Sequence, residues 1–273
     1  MRSLLAALLL LCALPAQADT MRLAVTTSFH NSGLSDILLP RIKSDLDLDV
    51  QLLVVGTGQA LRLGRAGDVD AILVHSRAAE DEFVAQGYGT YRREIMYNDF
   101  VLVGPLDDPA DTDDLAGITE GLTAIHTSQS LFVSRGDDSG THRRELSYWR
   151  AAGLDPDSFA ATWYRAAGAG MGTALNVASG LSAYILADRA SWLKFANKGD
   201  LTITFEGDEA LFNQYAYIAI DPARHAHVNH AAAMGLENWL TSEPAQSLIG
   251  DYRIEGEVLF TPNAKPMEQV NES

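Results

Sequence analysis

The feature that most constrains this chain is a repeated junction: a short apolar strand, a loop of glycines and hydroxyls, then a helical segment. Met21–Thr26 ends in Thr26-Thr27-Ser28 before helical spacing over Gly33–Asp45. Val50–Val55 enters Gly56-Thr57-Gly58 before a helix at Gln59–Arg65, and a strand at Ala71–His75 precedes a helix at Ala78–Gln86. Strands that alternate with helices predict βαβ units, hence an α/β fold with a mostly parallel sheet. Glu94–Met96 and Phe100–Val103 then read as a strand pair. In the second half the spacing predicts strands at Leu131–Val133, Tyr184–Leu186, Leu201–Thr204 and Tyr215–Ile220. Helices are expected at His142–Ala152, Gly170–Ser179, Asp188–Phe195, Ala226–Leu240 and Pro244–Ile249.

Composition shifts at Gly104–Asp114, rich in Asp, and at Asp221-Pro222. Two such places suggest two crossings between lobes, one of residues 19–103 plus 220–273 and one of residues 104–219. The length of 273 residues suits two lobes. With 20 Lys+Arg against 36 Asp+Glu, the net charge of −16 argues against a nucleic-acid partner, because phosphate backbones recruit basic faces. A buried pocket can still be locally positive, so a small anion stays compatible with the acidity.

Residues 1–18 read as a signal peptide: Arg2, the apolar run Leu4–Leu14, then Ala16-Gln17-Ala18 before Asp19. The run is too short for a membrane span, which needs about 20 apolar residues. Cys12 is the only cysteine and lies in this leader. The exported chain is therefore expected to carry no disulfide, thiol nucleophile or thiolate-bound metal. The expectation is a soluble periplasmic protein, monomeric and without a cofactor.

Thr26-Thr27-Ser28, Gly56-Thr57-Gly58 and the stretch from Ser134 to Thr141 share one design. Glycine lets the backbone approach a ligand, and each following helix start offers unpaired N–H donors with partial positive charge. In an open α/β sheet these loops sit at the carboxyl ends of strands, where ligands bind. A single loop such as Gly56-Thr57-Gly58 is better read as ordinary capping. Three of one kind, with Arg135 among them, favour a donor-lined cage for a tetrahedral anion. Ser139, His142 and Asp137 invite a hydrolase reading, but no independent group orients His142, and no Gly-x-Ser-x-Gly elbow occurs. No catalysis is expected. His225, His227 and His230 are spaced too unevenly to share a helix face, so no metal site is expected there. Trp149, Trp163, Trp192 and Trp239 read as core, and Asp45–Asp49 as a solvated turn.

Val25-Thr26-Thr27-Ser28, Val55-Gly56-Thr57-Gly58, Tyr97-Asn98-Asp99-Phe100 and the run from Phe132 to His142 together resemble the periplasmic tungstate-binding proteins of tungstate ABC transporters. Gly170-Met171-Gly172, Ala183-Tyr184, Asp188-Arg189 and Leu211-Phe212-Asn213-Gln214-Tyr215 continue the likeness, while Val25 and Ala187 stand where the family carries threonine. The resemblance implies a type II periplasmic binding protein, with two α/β lobes, two hinge crossings and an oxyanion in the cleft. It implies that Thr27, Ser28, Thr57, Ser134, Arg135, Ser139, Gly140 and Thr141 line the site. The implied ligand is tungstate, with molybdate as a near-isostere; sulfate and phosphate are the alternatives. The implied partner is an inner-membrane permease.

Overall fold

The computed structural model describes residues 19–265; the expected signal peptide and Cys12 lie outside the described residues. The chain runs β1 (Asp19–Thr26), α1 (Thr27–Ser32), α2 (Leu34–Leu46), β2 (Leu48–Val55), α3 (Thr57–Ala66), β3 (Ala71–Val74) and α4 (Arg77–Ala85). The long β4 (Arg93–Pro105) leads to α5 (Ile118–Ser128), β5 (Phe132–Ser134), α6 (Gly140–Ala151), β6 (Tyr164–Ala166) and α7 (Met171–Leu181). Then follow β7 (Ile185–Asp188), α8 (Arg189–Lys194), β8 (Leu201–Phe205), β9 (Phe212–Ala219), α9 (His230–Leu240) and α10 (Glu243–Asp251). A short strand at Thr261–Pro262 pairs with β4 at Tyr97 and Met96.

β1 pairs in parallel with β2 on one side and β3 on the other. Elsewhere the main sheet is antiparallel, against the expectation of a mostly parallel one, and among the described residues parallel pairing returns only at β5. β9 lies antiparallel between β3 and β4, and β4 lies antiparallel to β7 and β8. The expected strand pair is one strand, β4. Tyr97-Asn98-Asp99, between the two expected strands, all pair with β9, and Asn213 Nδ2 donates to Asn98 Oδ1 at 2.9 Å in the buried ladder. β4 changes partner along its length: Arg93–Asp99 pairs with β9, and Phe100–Pro105 pairs with β7 and β8. This change falls between Asp99 and Phe100. β5 joins the second group through Phe132 and Tyr184, with β6 outside it.

Burial follows the strand period. In β3, Ala71 and Leu73 pack into one cluster with Leu23, Leu34 and Trp239, while Ile72 and Val74 pack into another with Leu61, Phe83 and Ile218. Both faces are covered, as βαβ crossovers require. A third cluster sits in the second half, where Trp149 is 0% exposed against Phe132 and Trp163. The four tryptophans are buried, as expected. The Asp45–Asp49 turn is real at Asp47, which is left-handed at φ 50°, but Leu48 already belongs to β2 and is buried. α9 begins at His230 rather than Ala226, because Asn229 caps it by accepting the Ala232 N–H. Among the described residues, no helix is long and apolar enough to cross a membrane.

Candidate anion-binding site

The site follows from the register of three parallel strands. Thr26 is opposite Val55, and Val25 is opposite Leu73, so β1, β2 and β3 end on one edge. The starts of α1 and α3 therefore lie side by side, with His75 just past the end of β3. Thr26 caps α1 by accepting the Phe29 N–H, which leaves the first-turn amides of Thr27 and Ser28 without intrahelical acceptors. Gly56 starts α3 with no side-chain cap, so Thr57 and Gly58 are equally open.

The other half brings α6 against the same edge. Ser139 caps α6 by accepting the His142 N–H at 3.2 Å, leaving the Gly140 and Thr141 amides free of intrahelical partners. A Cβ on Gly140 would lie 3.2 Å from His75 Cε1, so only a hydrogen fits comfortably there. The loop before α6 turns at Gly136 (φ +61°), where a Cβ would stand 2.7 Å from Ala166 Cβ. Ala167 N donates to Ser134 O at 2.8 Å and Ala169 N to Arg135 O at 3.2 Å, which ties this loop to the start of α7. That helix also begins on an uncapped glycine, Gly170.

Arg135 is mostly buried, its side chain 14% exposed, and its guanidinium pairs with Asp137. Its Nε is buried without a partner. Asp137 also accepts the Ser139 N–H at 3.2 Å. Against the effect of burial, that bond and the Arg135 charge hold Asp137 below the usual carboxylate range. Asp188, buried at the end of β7, caps α8 by accepting the Ser191 N–H at 2.9 Å. Burial pushes its carboxyl up, and the Arg135 charge counters this.

Two residues at this place were not assigned to a site from the sequence: His75 and Tyr215. Ser28 Oγ lies 3.0 Å from Thr26 Oγ1, 3.2 Å from His75 Nε2 and 3.1 Å from the Tyr215 hydroxyl. The His75 ring packs on Tyr215 at a centroid distance of 4.8 Å. Burial first, then the charge of Arg144, pushes His75 down to about 4, so the ring is neutral at physiological pH. The position of His75 at the carboxyl end of a parallel strand was a usable signal; Tyr215 stood in the Leu211–Tyr215 motif of the likeness, but nothing local tied it to Ser28.

A further acid lies beneath Ser134. Glu145 is 2% exposed, and its Oε1 accepts from Trp149 Nε1 at 3.2 Å and from the Tyr164 hydroxyl at 2.6 Å. Ser134 Oγ is buried without a hydrogen-bond partner, close enough to favour the charged carboxylate but outside bonding geometry. Burial pushes Glu145 up to about 7.

The hydrolase alternative lacks its geometry. Ser139 Oγ is occupied as a helix cap, and His142 Nδ1 accepts the Asp138 N–H at 3.0 Å, so the imidazole activates no nucleophile. His225 and His227 hold the carbonyls of Arg65 and Gly67 at 2.9 Å, and His230 lies 3.2 Å from the Ile220 carbonyl. No cluster of His, Cys, Asp and Glu suited to a metal occurs among the described residues.

Residues 14–244 match the PBP superfamily domain. The chain is 45% identical over 249 residues to the tungstate-binding protein TupA of Peptoclostridium acidaminophilum, covering 89% of this chain and 85% of that protein. The chain belongs to the tungstate-binding protein family. Solved structures of family members agree in fold. The tungstate-binding protein of Desulfovibrio alaskensis G20 superposes with a TM-score of 0.85 at 41% identity, covering 91% of this chain and 100% of that one. The tungstate ABC transporter protein of Geobacter sulfurreducens gives a TM-score of 0.76 at 43% identity, covering 85% and 98%. This membership makes the type II periplasmic binding fold, inferred from the sequence, the fold of this chain.

Proposed function

We propose that this chain is the exported receptor of a tungstate importer, closing on the oxyanion between its lobes and delivering it to an inner-membrane permease. The observation that carries the reading is the meeting of α1 and α6 at His75. It puts amide and hydroxyl donors from both halves of the chain around one point, with Arg135 as a buried cation beside it. In this reading Thr27, Ser28, Thr57, Ser134, Arg135, Ser139, Gly140 and Thr141 contact the anion. The lobes divide at Asp99/Phe100 and near Phe212, where β4 changes partner and β9 begins. The protein binds without transforming its cargo, uses no cofactor, acts as a monomer and works in the periplasm after loss of residues 1–18. The names of the relatives support tungstate as the ligand.

The magnitudes suffice. Hydrogen bonds to a charged group contribute roughly 1.5–3 kcal/mol each. Six to eight would give on the order of 9–24 kcal/mol before desolvation and closure. A nanomolar complex needs about 12 kcal/mol. Tungstate and molybdate share charge and shape, so both should bind. Calorimetric titration with tungstate, molybdate, sulfate and phosphate tests the proposal. Tight binding confined to the first two is expected; tight binding of sulfate or phosphate alone would reassign the cargo.

A further inference from the structure

Ser28 has as many hydrogen-bonding neighbours as a hydroxyl can serve. It carries one hydrogen and can accept two. Thr26 Oγ1, His75 Nε2 and the Tyr215 hydroxyl all lie within 3.2 Å of its oxygen. Tyr215 is fully buried, and burial holds its phenol proton in place, so the hydroxyl has a hydrogen to give. Thr26 spends a lone pair on the Phe29 N–H. What remains open is the polarity of the contact between Ser28 and His75, and it decides what Ser28 shows to the cleft. With a bare Nε2, the ring takes the only Ser28 hydrogen and leaves a lone pair facing the ligand. With Nε2–H, Ser28 accepts from Tyr215 and His75, and its own hydrogen can turn from Thr26 to an oxyanion. Tungstate carries no hydrogen and can only accept.

We propose that His75 holds its proton on Nε2 and, with Tyr215, is a positioning residue that makes Ser28 a donor toward the anion. This rests on the functional reading above. The ring packs on Tyr215 of β9 at a centroid distance of 4.8 Å. The ring therefore stands between a Ser28 hydroxyl it orients and the strands that cross between the two halves. Its Cε1 edge is the surface on which Gly140 lands. A neutral ring with a defined tautomer can fill this place; a charged ring is held off by burial and by Arg144.

The test combines spectroscopy with substitution. Nitrogen-15 NMR of the full exported chain at pH 7, with the His75 signal assigned by its loss in His75→Gln, should find the proton on Nε2 with and without tungstate. His75→Gln keeps an N–H near the Nε2 position and should leave the tungstate dissociation constant within about threefold of the wild type. His75→Leu keeps bulk but loses the donor and should weaken binding about tenfold or more, equivalent to 1.4 kcal/mol. Thermal melts establish that both variants are folded. A proton on Nδ1, or His75→Gln as weak as His75→Leu, would overturn the assignment. So would His75→Leu binding as the wild type does. A wild-type chain that gives no heat with tungstate would instead sink the functional reading, and the NMR result on the free protein would still decide the tautomer.

Discussion

Arg135 pairs with Asp137 yet keeps a buried Nε without a partner. Truncating one partner of a buried charge pair commonly costs 2–5 kcal/mol or more. Arg135→Ala should therefore weaken tungstate binding by about 2–5 kcal/mol, read by calorimetry; an unchanged constant would remove Arg135 from the site. Glu145 supports a different prediction. Its folded-state pKa, about 7, lies above the ordinary 4.5, so the buried form prefers its proton. Both states are protonated below the ordinary value, and stability falls as pH rises from about 4.5 to about 7, where only the unfolded chain has ionised. No cation pairs with Glu145 among the described residues to offset this. Glu145→Gln keeps an acceptor for Trp149 and Tyr164 without the charge. Relative to the wild type it should gain about 1–3 kcal/mol of stability between pH 5 and pH 8 in urea unfolding, the scale of a one- to two-unit shift. A pH-independent difference would contradict the assignment.

At the scale of elements, the starts of α1, α3 and α6 carry the proposed site, and the contact between α6 and His75 leaves little slack. The Gly140 hydrogen already faces His75 Cε1, so Gly140→Val should hold α6 away from β3. The expected result is tungstate binding weakened more than about tenfold with the melting temperature little changed, because the contact lies at the edge between halves. Affinity equal to the wild type would mean the two elements do not meet in the bound form. The loops themselves were legible in the sequence, since Gly56-Thr57-Gly58 and Ser134–Thr141 announce helix starts by chemistry local to each. The lining from β9 was not. Tyr215 reaches Ser28 across 187 positions of sequence, and an antiparallel strand leaves no nearby mark of what faces it. β4 was misread for a related reason: Asn98 is polar, yet it is buried against Asn213, a partner visible only once the strands pair. β6 was missed because three residues, two of them exposed, carry no alternation to read.

For the whole molecule, the proposed hinge runs through β4 and β9, whose pairing ends with Asp99 opposite Phe212. Arg189, at the start of α8, grips Asp99 with two bonds at 2.6–2.7 Å and also reaches Glu206, which ties the second half to the crossing. Anion binding should draw the lobes together, since donors on both sides are satisfied only jointly. Small-angle scattering should show a smaller radius of gyration with tungstate than without it; identical profiles would exclude closure. The change of partner in β4 also bears on the order in which the protein assembles. Every strand paired in the second half lies between Phe100 and Phe205, and with Leu211 closing its apolar cluster that half needs no later strand. The first half is divided, because its sheet needs β9 between β3 and β4, and then the Thr261–Pro262 strand. A chain delivered from its N-terminus must leave β1, β2 and β3 waiting while the later-made half finishes ahead of them. Pulsed hydrogen exchange during refolding or release should protect β5 and β7 before β3 and β9. The cleft, which needs both halves, is then the last part of the receptor to exist, and a truncated product would have no competent binding state to present to the permease.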